Sequence, residues 1–177
     1  MKELLLKIFA PLVAILSTTL KMAIPKRLLG YEGWHWNPIR RFLLPPLDRL
    51  KRDNGLGYSA YKLDEAEYAG KTSLSPREVG IIIAESGGTR MPLSALKRDP
   101  DGDRIEKASW AVRESVDAEY QLHIMLFERE DGGTDVYAHY EKNAYNPNVA
   151  YEHYRGVGMD YAKGVEKTRQ MIPKIEN

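Results

Sequence analysis

The sequence predicts an α+β body with a mostly antiparallel sheet of four to five strands, preceded by a basic, apolar N-terminal arm. Three observations carry this. Alternating runs flank Gly-rich turns, helical runs begin at cap signals, and charge divides unevenly along the chain. Residues 1–52 hold 10 Lys and Arg against 3 Asp and Glu, a net of +7; residues 53–177 hold 16 against 22, a net of −6. The arm is taken as 1–57 and the body as 58–177.

The arm opens with an amphipathic helix. At 100° per residue, Glu3, Lys7, Ala10, Pro11, Ala14, Ser17, Thr18 and Lys21 share one narrow face. Leu4, Leu5, Leu6, Ile8, Phe9, Leu12, Val13, Ile15, Leu16 and Leu20 fill the broad remainder. Only thirteen residues, Ile8 to Leu20, separate Lys7 from Lys21, too few for the ~20 of a spanning helix. A signal peptide is disfavoured, because Lys7 and Pro11 interrupt the apolar run and small-residue cleavage sites are poor. A broad apolar face can pack within protein or lie in a membrane interface. Lys7, Lys21, Lys26, Arg27, Arg40 and Arg41 suit an anionic surface, whether headgroups or a protein partner. Residues 25–57 are broken by Pro and Gly yet hold Trp34, Trp36 and Phe42, so they are expected to wrap a surface. A short helix is expected over 37–44, capped by Asn37.

The body is expected in β-α-β-β-β-β-α order. Glu67–Thr72 gives the first strand. Ser75-Pro76-Arg77-Glu78 opens a helix with a capping box, ending at Gly87-Gly88. Leu93–Arg98 and Lys107–Glu114 flank Asp99-Pro100-Asp101-Gly102-Asp103, predicting a hairpin. Tyr120–Arg129 and Thr134–Lys142 form a second hairpin, and a helix over Tyr161–Met171 ends before Pro173. The predicted core comprises Trp110, Val112, Leu122, Ile124, Leu126, Val136 and Ala138, with Val79, Ile82, Ile83, Val165 and Ile172 from the helices.

The second hairpin holds the best chemical candidate. A three-residue loop, Asp131–Gly133, sets His123 opposite Glu141 and Met125 opposite His139. Gln121, His123, Tyr137, His139 and Glu141 then share the face away from the aliphatic core. Two His and one Glu are a plausible ligand count for a metal, and imidazole can also serve as general acid or base. The more ordinary reading is a solvated sheet face, or one covered by the arm. The loop after this hairpin is rich in Tyr, Asn and His, including Tyr145, Tyr151, His153 and Tyr154. Such rings and amides can bind a ligand, but more often order a loop and seal a core edge. Asp99, Asp101 and Asp103 resemble the start of a calcium loop, but the twelfth position is Trp110 rather than Glu.

With no Cys, disulfides and thiolate chemistry are excluded, and a reducing, cytoplasmic setting suits the chain. Phosphate loops, nucleophile elbows and dinucleotide fingerprints are absent. The balanced total charge argues against nucleic acid as partner. The expectation is therefore a non-enzymatic structural or interaction protein whose arm docks on a protein partner or a second copy, with no cofactor. Peripheral attachment to an anionic membrane is the first alternative; a small metal-dependent or acid/base enzyme using His123, His139 and Glu141 is the second.

Overall fold

The computed structural model describes residues 62–91 and 94–176, with ten helical positions between 4 and 19 and three more at 42, 45 and 46. The body is α+β. Its strands are β1 (Tyr68–Thr72), β2 (Thr89–Arg90), β3 (Ala108–Val112), β4 (Tyr120–Glu128) and β5 (Thr134–Lys142). Its helices are α1 (Pro76–Glu85), α2 (Ala150–Tyr154) and α3 (Tyr161–Met171). The sheet runs β1-β5-β4-β3-β2, each neighbouring pair antiparallel.

Local chemistry fixes the boundaries. Ser75 caps α1, its Oγ accepting from the Glu78 backbone N–H, while Glu78 Oε2 accepts from the Ser75 N–H at 2.8 Å. Asp160 caps α3 by accepting from the Lys163 N–H at 2.9 Å. The chain end adds to the edge of the sheet, where Lys71 and Glu176 exchange both backbone hydrogen bonds at 2.8–2.9 Å.

One face of the sheet packs against α1 and α3. Val79, Ile83, Trp110, Leu122, Ile124, Leu126, Val136, Ala138 and Ile172 form this core, with Val112, Ile82 and Val165 partly buried against it. The expected core is thus largely the observed one. Gly164 brings α3 down onto β5: a Cβ there would meet the His139 carbonyl carbon at 2.5 Å and the Tyr140 nitrogen at 2.7 Å. The second face is also closed, with Met125, Phe127 and Tyr137 packed against Leu63.

Two expectations need correction. The strand paired to β3 is Thr89–Arg90 rather than Leu93–Arg98. After Gly88 the chain reaches the β3 edge at once, and the Met91 N–H donates to Ser109 O at 2.9 Å. Of the expected segment, residues 92 and 93 lie outside the described residues, and Arg98 makes isolated bridges to Lys62 and Ile105. Asp99 still turns the chain: its Oδ1 accepts from the Gly102 and Arg104 N–H groups, and Oδ2 from the Arg104 side chain.

The register of the β4–β5 hairpin is the second correction. Arg129–Gly133 forms a five-residue loop, closed by Arg129 N–H donating to Gly133 O at 2.9 Å, with Gly132 at φ +83°. His123 therefore pairs with His139, Gln121 with Glu141 and Met125 with Tyr137. The shift from the expected pairing is two residues. Because strand side chains alternate, a shift of two preserves the faces.

Candidate functional site

The face opposite the main core carries a buried polar cluster rather than a solvated surface. Gln121, His123, His139 and Glu141 are each no more than 6% exposed. His123 Nδ1 lies 3.2 Å from His139 Nε2 and 3.3 Å from Glu141 Oε1. His139 Nε2 lies 3.4 Å from Glu141 Oε2. The two rings meet edge to face with centroids 4.9 Å apart. One ligand atom from each of the three residues falls within 4.8 Å of the others.

Around this centre stands a second ring of partners. His139 Nδ1 lies 2.5 Å from Glu67 Oε2. The other Glu67 oxygen accepts from the Asp64 N–H at 2.9 Å, closing the cap of the short 3-10 turn Glu65–Glu67. His123 Nε2 lies 2.6 Å from Ser109 Oγ on β3, which in turn bonds Ser94 Oγ at 2.9 Å. Gln121 Nε2 donates to Glu141 Oε1 at 2.5 Å, and Arg113 Nε donates to Gln121 Oε1 at 2.8 Å. His153 Nδ1 sits 3.3 Å from Glu141 Oε2 and 2.9 Å from Lys142 O.

The electrostatics follow from burial and pairing. Burial favours a neutral His139, but the Glu141 and Glu67 carboxylates overcome it and push the imidazole up to about 9. Burial holds His123 below its ordinary value despite its bond to Glu141. Burial would raise Glu141, yet the neighbouring histidines hold it well below the carboxylate range. Burial lowers the Arg113 guanidinium to about 10, against the pull of Tyr145 and Glu141.

Sequence reasoning placed His123, His139 and Glu141 on one face but missed Glu67, Ser109 and Arg113. Glu67 was legible as the fourth residue of an Asp-x-x-Glu capping pattern beginning at Asp64. Ser109 and Arg113 reach the site only through the β3–β4 register.

The loop after β5 serves the same framework. Asn143 Nδ2 donates to Val116 O and Ala118 O at 2.9 Å, and its Oδ1 accepts from the Tyr145 N–H and Arg113 Nε. Asn146 Nδ2 donates to Asp117 O at 2.7 Å. Tyr145 is buried, with the Arg113 guanidinium 4.2 Å from its ring centroid. Tyr151 and Tyr154 pack against Ala10, Ala14 and Ala150, where the N-terminal helix meets α2. Trp34, Trp36, Lys21, Lys26, Arg27, Arg40 and Arg41 lie outside the described residues.

That helix presents a second feature. Its body-facing side is the narrow face, on which Ala10 and Ala14 are buried and Lys7 Nζ lies 5.5 Å from the Tyr151 ring centroid. On the far side Leu4 is 62% exposed, Ile8 52%, Leu12 54%, Ile15 53% and Leu16 68%. At 100° per residue these five span roughly 120° of arc, a continuous aliphatic ridge. Among the described residues no helix is long and apolar enough to cross a membrane. No family model, curated protein or solved structure matches the chain.

Proposed function

We propose that the chain is a peripheral membrane protein whose N-terminal helix lies in an anionic lipid interface, holding the α+β body at the surface. The exposed ridge carries this reading. Small alanines face the body and large aliphatics face outward, the reverse of what packing into the chain's own core requires.

The magnitudes fit a lipid surface. Burying five half-exposed Leu and Ile side chains is worth roughly 1 kcal/mol each, about 5 kcal/mol together. That is marginal alone, and stable attachment takes a second signal such as basic charge. The net +7 of residues 1–52 supplies it, at about 1 kcal/mol for each cation near an anionic surface. The acidic remainder of the chain opposes binding, so attachment falls to the arm.

Co-sedimentation tests this. The full chain should pellet with phosphatidylserine-containing vesicles at low salt, release as salt rises, and stay in solution with neutral vesicles. Removing residues 1–24 should abolish pelleting. Absence of pelleting with anionic vesicles at low salt would refute the proposal. Concentration-dependent self-association by light scattering would then assign the ridge to a second copy, the protein contact expected from sequence.

A further inference from the structure

We infer that the body holds one zinc-class divalent cation on His123 Nδ1, His139 Nε2 and the Glu141 carboxylate. The inference is independent of the membrane proposal.

The first ground is the spacing of the donor atoms. The His123–His139, His123–Glu141 and His139–Glu141 separations are 3.2, 3.3 and 3.4 Å, with Glu141 presenting one oxygen to each imidazole. A zinc-class ion with bonds of ~2.0–2.1 Å sets tetrahedral ligand atoms about 3.3–3.4 Å apart, close to the 3.2 Å between the two imidazole nitrogens. Two imidazole nitrogens also select against calcium and magnesium, which take oxygen.

The second ground is the outer ring. Glu67 is placed to accept the Nδ1–H of His139, and in that neutral tautomer the Nε2 lone pair faces the centre. Ser109 Oγ can likewise accept the Nε2–H of His123, and in that tautomer Nδ1 faces the same point. Gln121 fixes the carboxylate. In this tautomeric arrangement three acceptors converge, a set that a cation can bridge. A carboxylate on the far nitrogen of a ligating histidine is the usual outer-shell device for fixing its tautomer and orientation.

The sheet supplies the rigidity. His123 and His139 are direct cross-strand partners, Gln121 and Glu141 are the adjacent pair, and Ser109 is anchored on β3. With three protein ligands, a tetrahedral ion keeps one position for solvent or another donor.

The untagged full chain, stripped with chelator and dialysed, should bind one equivalent of zinc by calorimetry. Cobalt(II) in its place should give the intense visible bands of tetrahedral coordination. His139→Gln should abolish the site, and Glu67→Gln should weaken zinc roughly 10–100-fold. Circular dichroism of each variant confirms that it is folded. Zinc should also raise the melting temperature of the unaltered chain, a readout that needs no variant. No stoichiometric zinc binding by the folded wild type, weak octahedral cobalt bands, or undiminished affinity in folded His139→Gln would each overturn the inference. The cluster would then be a hydrogen-bonded network whose cation is the imidazolium proton.

Discussion

Gly164 sets how closely α3 approaches β5, and Gly164→Ala opposes two effects of known size. In an exposed helix interior, alanine gains about 1 kcal/mol over glycine. Here the new methyl would meet the His139 carbonyl carbon at 2.5 Å and the Tyr140 nitrogen at 2.7 Å, with the His139 Cα closer still. Ordinary carbon contacts lie near ~3.5–4.0 Å, so relief requires a shift of about 1 Å between helix and strand. The obstructing atoms are backbone within a paired strand, where no rotamer can yield. Overpacking of this kind typically costs ~1–3 kcal/mol, and separating α3 from β5 also loosens Ile172 and Val165. The steric effect should win, leaving net destabilisation of about 1–3 kcal/mol, or roughly 3–10 °C in melting temperature. Urea unfolding followed by circular dichroism measures it, with exposed Gln170→Ala as a control expected within ~0.5 kcal/mol of wild type. A Gly164→Ala protein as stable as wild type, or more so, would show that helix propensity outweighs the steric cost and refute the reasoning.

Three other perturbations test separate parts of the body. Ile124 is fully buried in the central strand, so Ile124→Ala should cost roughly 2–5 kcal/mol by denaturant unfolding; a loss below ~0.5 kcal/mol would contradict that placement. Asn143→Ala removes two bonds to β3–β4 loop carbonyls and leaves Arg113 short of an acceptor, for an expected loss of about 2–4 kcal/mol by the same assay. Burial would raise the Asp99 carboxyl, but hydrogen bonds from the Arg104 side chain and backbone hold it below the usual range. Its contribution is therefore present above the unfolded value near ~3.9 and lost as pH falls through the lower folded value. Stability measured from pH 5 downward should fall below about pH 4, and Arg104→Met should flatten that fall; an equally steep fall in Arg104→Met would refute the assignment.

What the sequence revealed was local. The Ser75–Glu78 box, the alternation through Leu122, Ile124 and Leu126, and the stop near Gly87 are encoded within a few residues, and the structure reproduces them. Pairing choices were harder, because they depend on which backbone reaches an edge first. Thr89–Arg90 takes the β3 edge directly after the α1 turn, and no feature of Leu93–Arg98 announces that competition. The hairpin register slipped by two because Asp131 accepts from the Gly133 N–H within a five-residue loop, and Asp-Gly-Gly permits several loop lengths. The slip left the faces intact, so His123, His139 and Glu141 were legible as a group while their pairing was not. Glu67 lies 72 residues from His139 in sequence, and only the sheet joins them. The helix showed the limit of periodicity: the wheel separated two faces correctly, but Ala10 and Ala14 on the narrow one meet the body. Small side chains permit close approach to Ala150, which a hydrophobicity pattern does not weigh.

The outward ridge is the central claim, and the absence of native cysteine makes it directly measurable. A polarity-sensitive fluorophore on Leu12→Cys reports the ridge, and the same probe on Glu130→Cys reports the exposed β4–β5 loop. On adding anionic vesicles at low salt, the Leu12 probe should shift to the blue and brighten, reversing at high salt, while the Glu130 probe stays unchanged. No shift at Leu12, or an equal shift at both positions, would contradict attachment through the ridge.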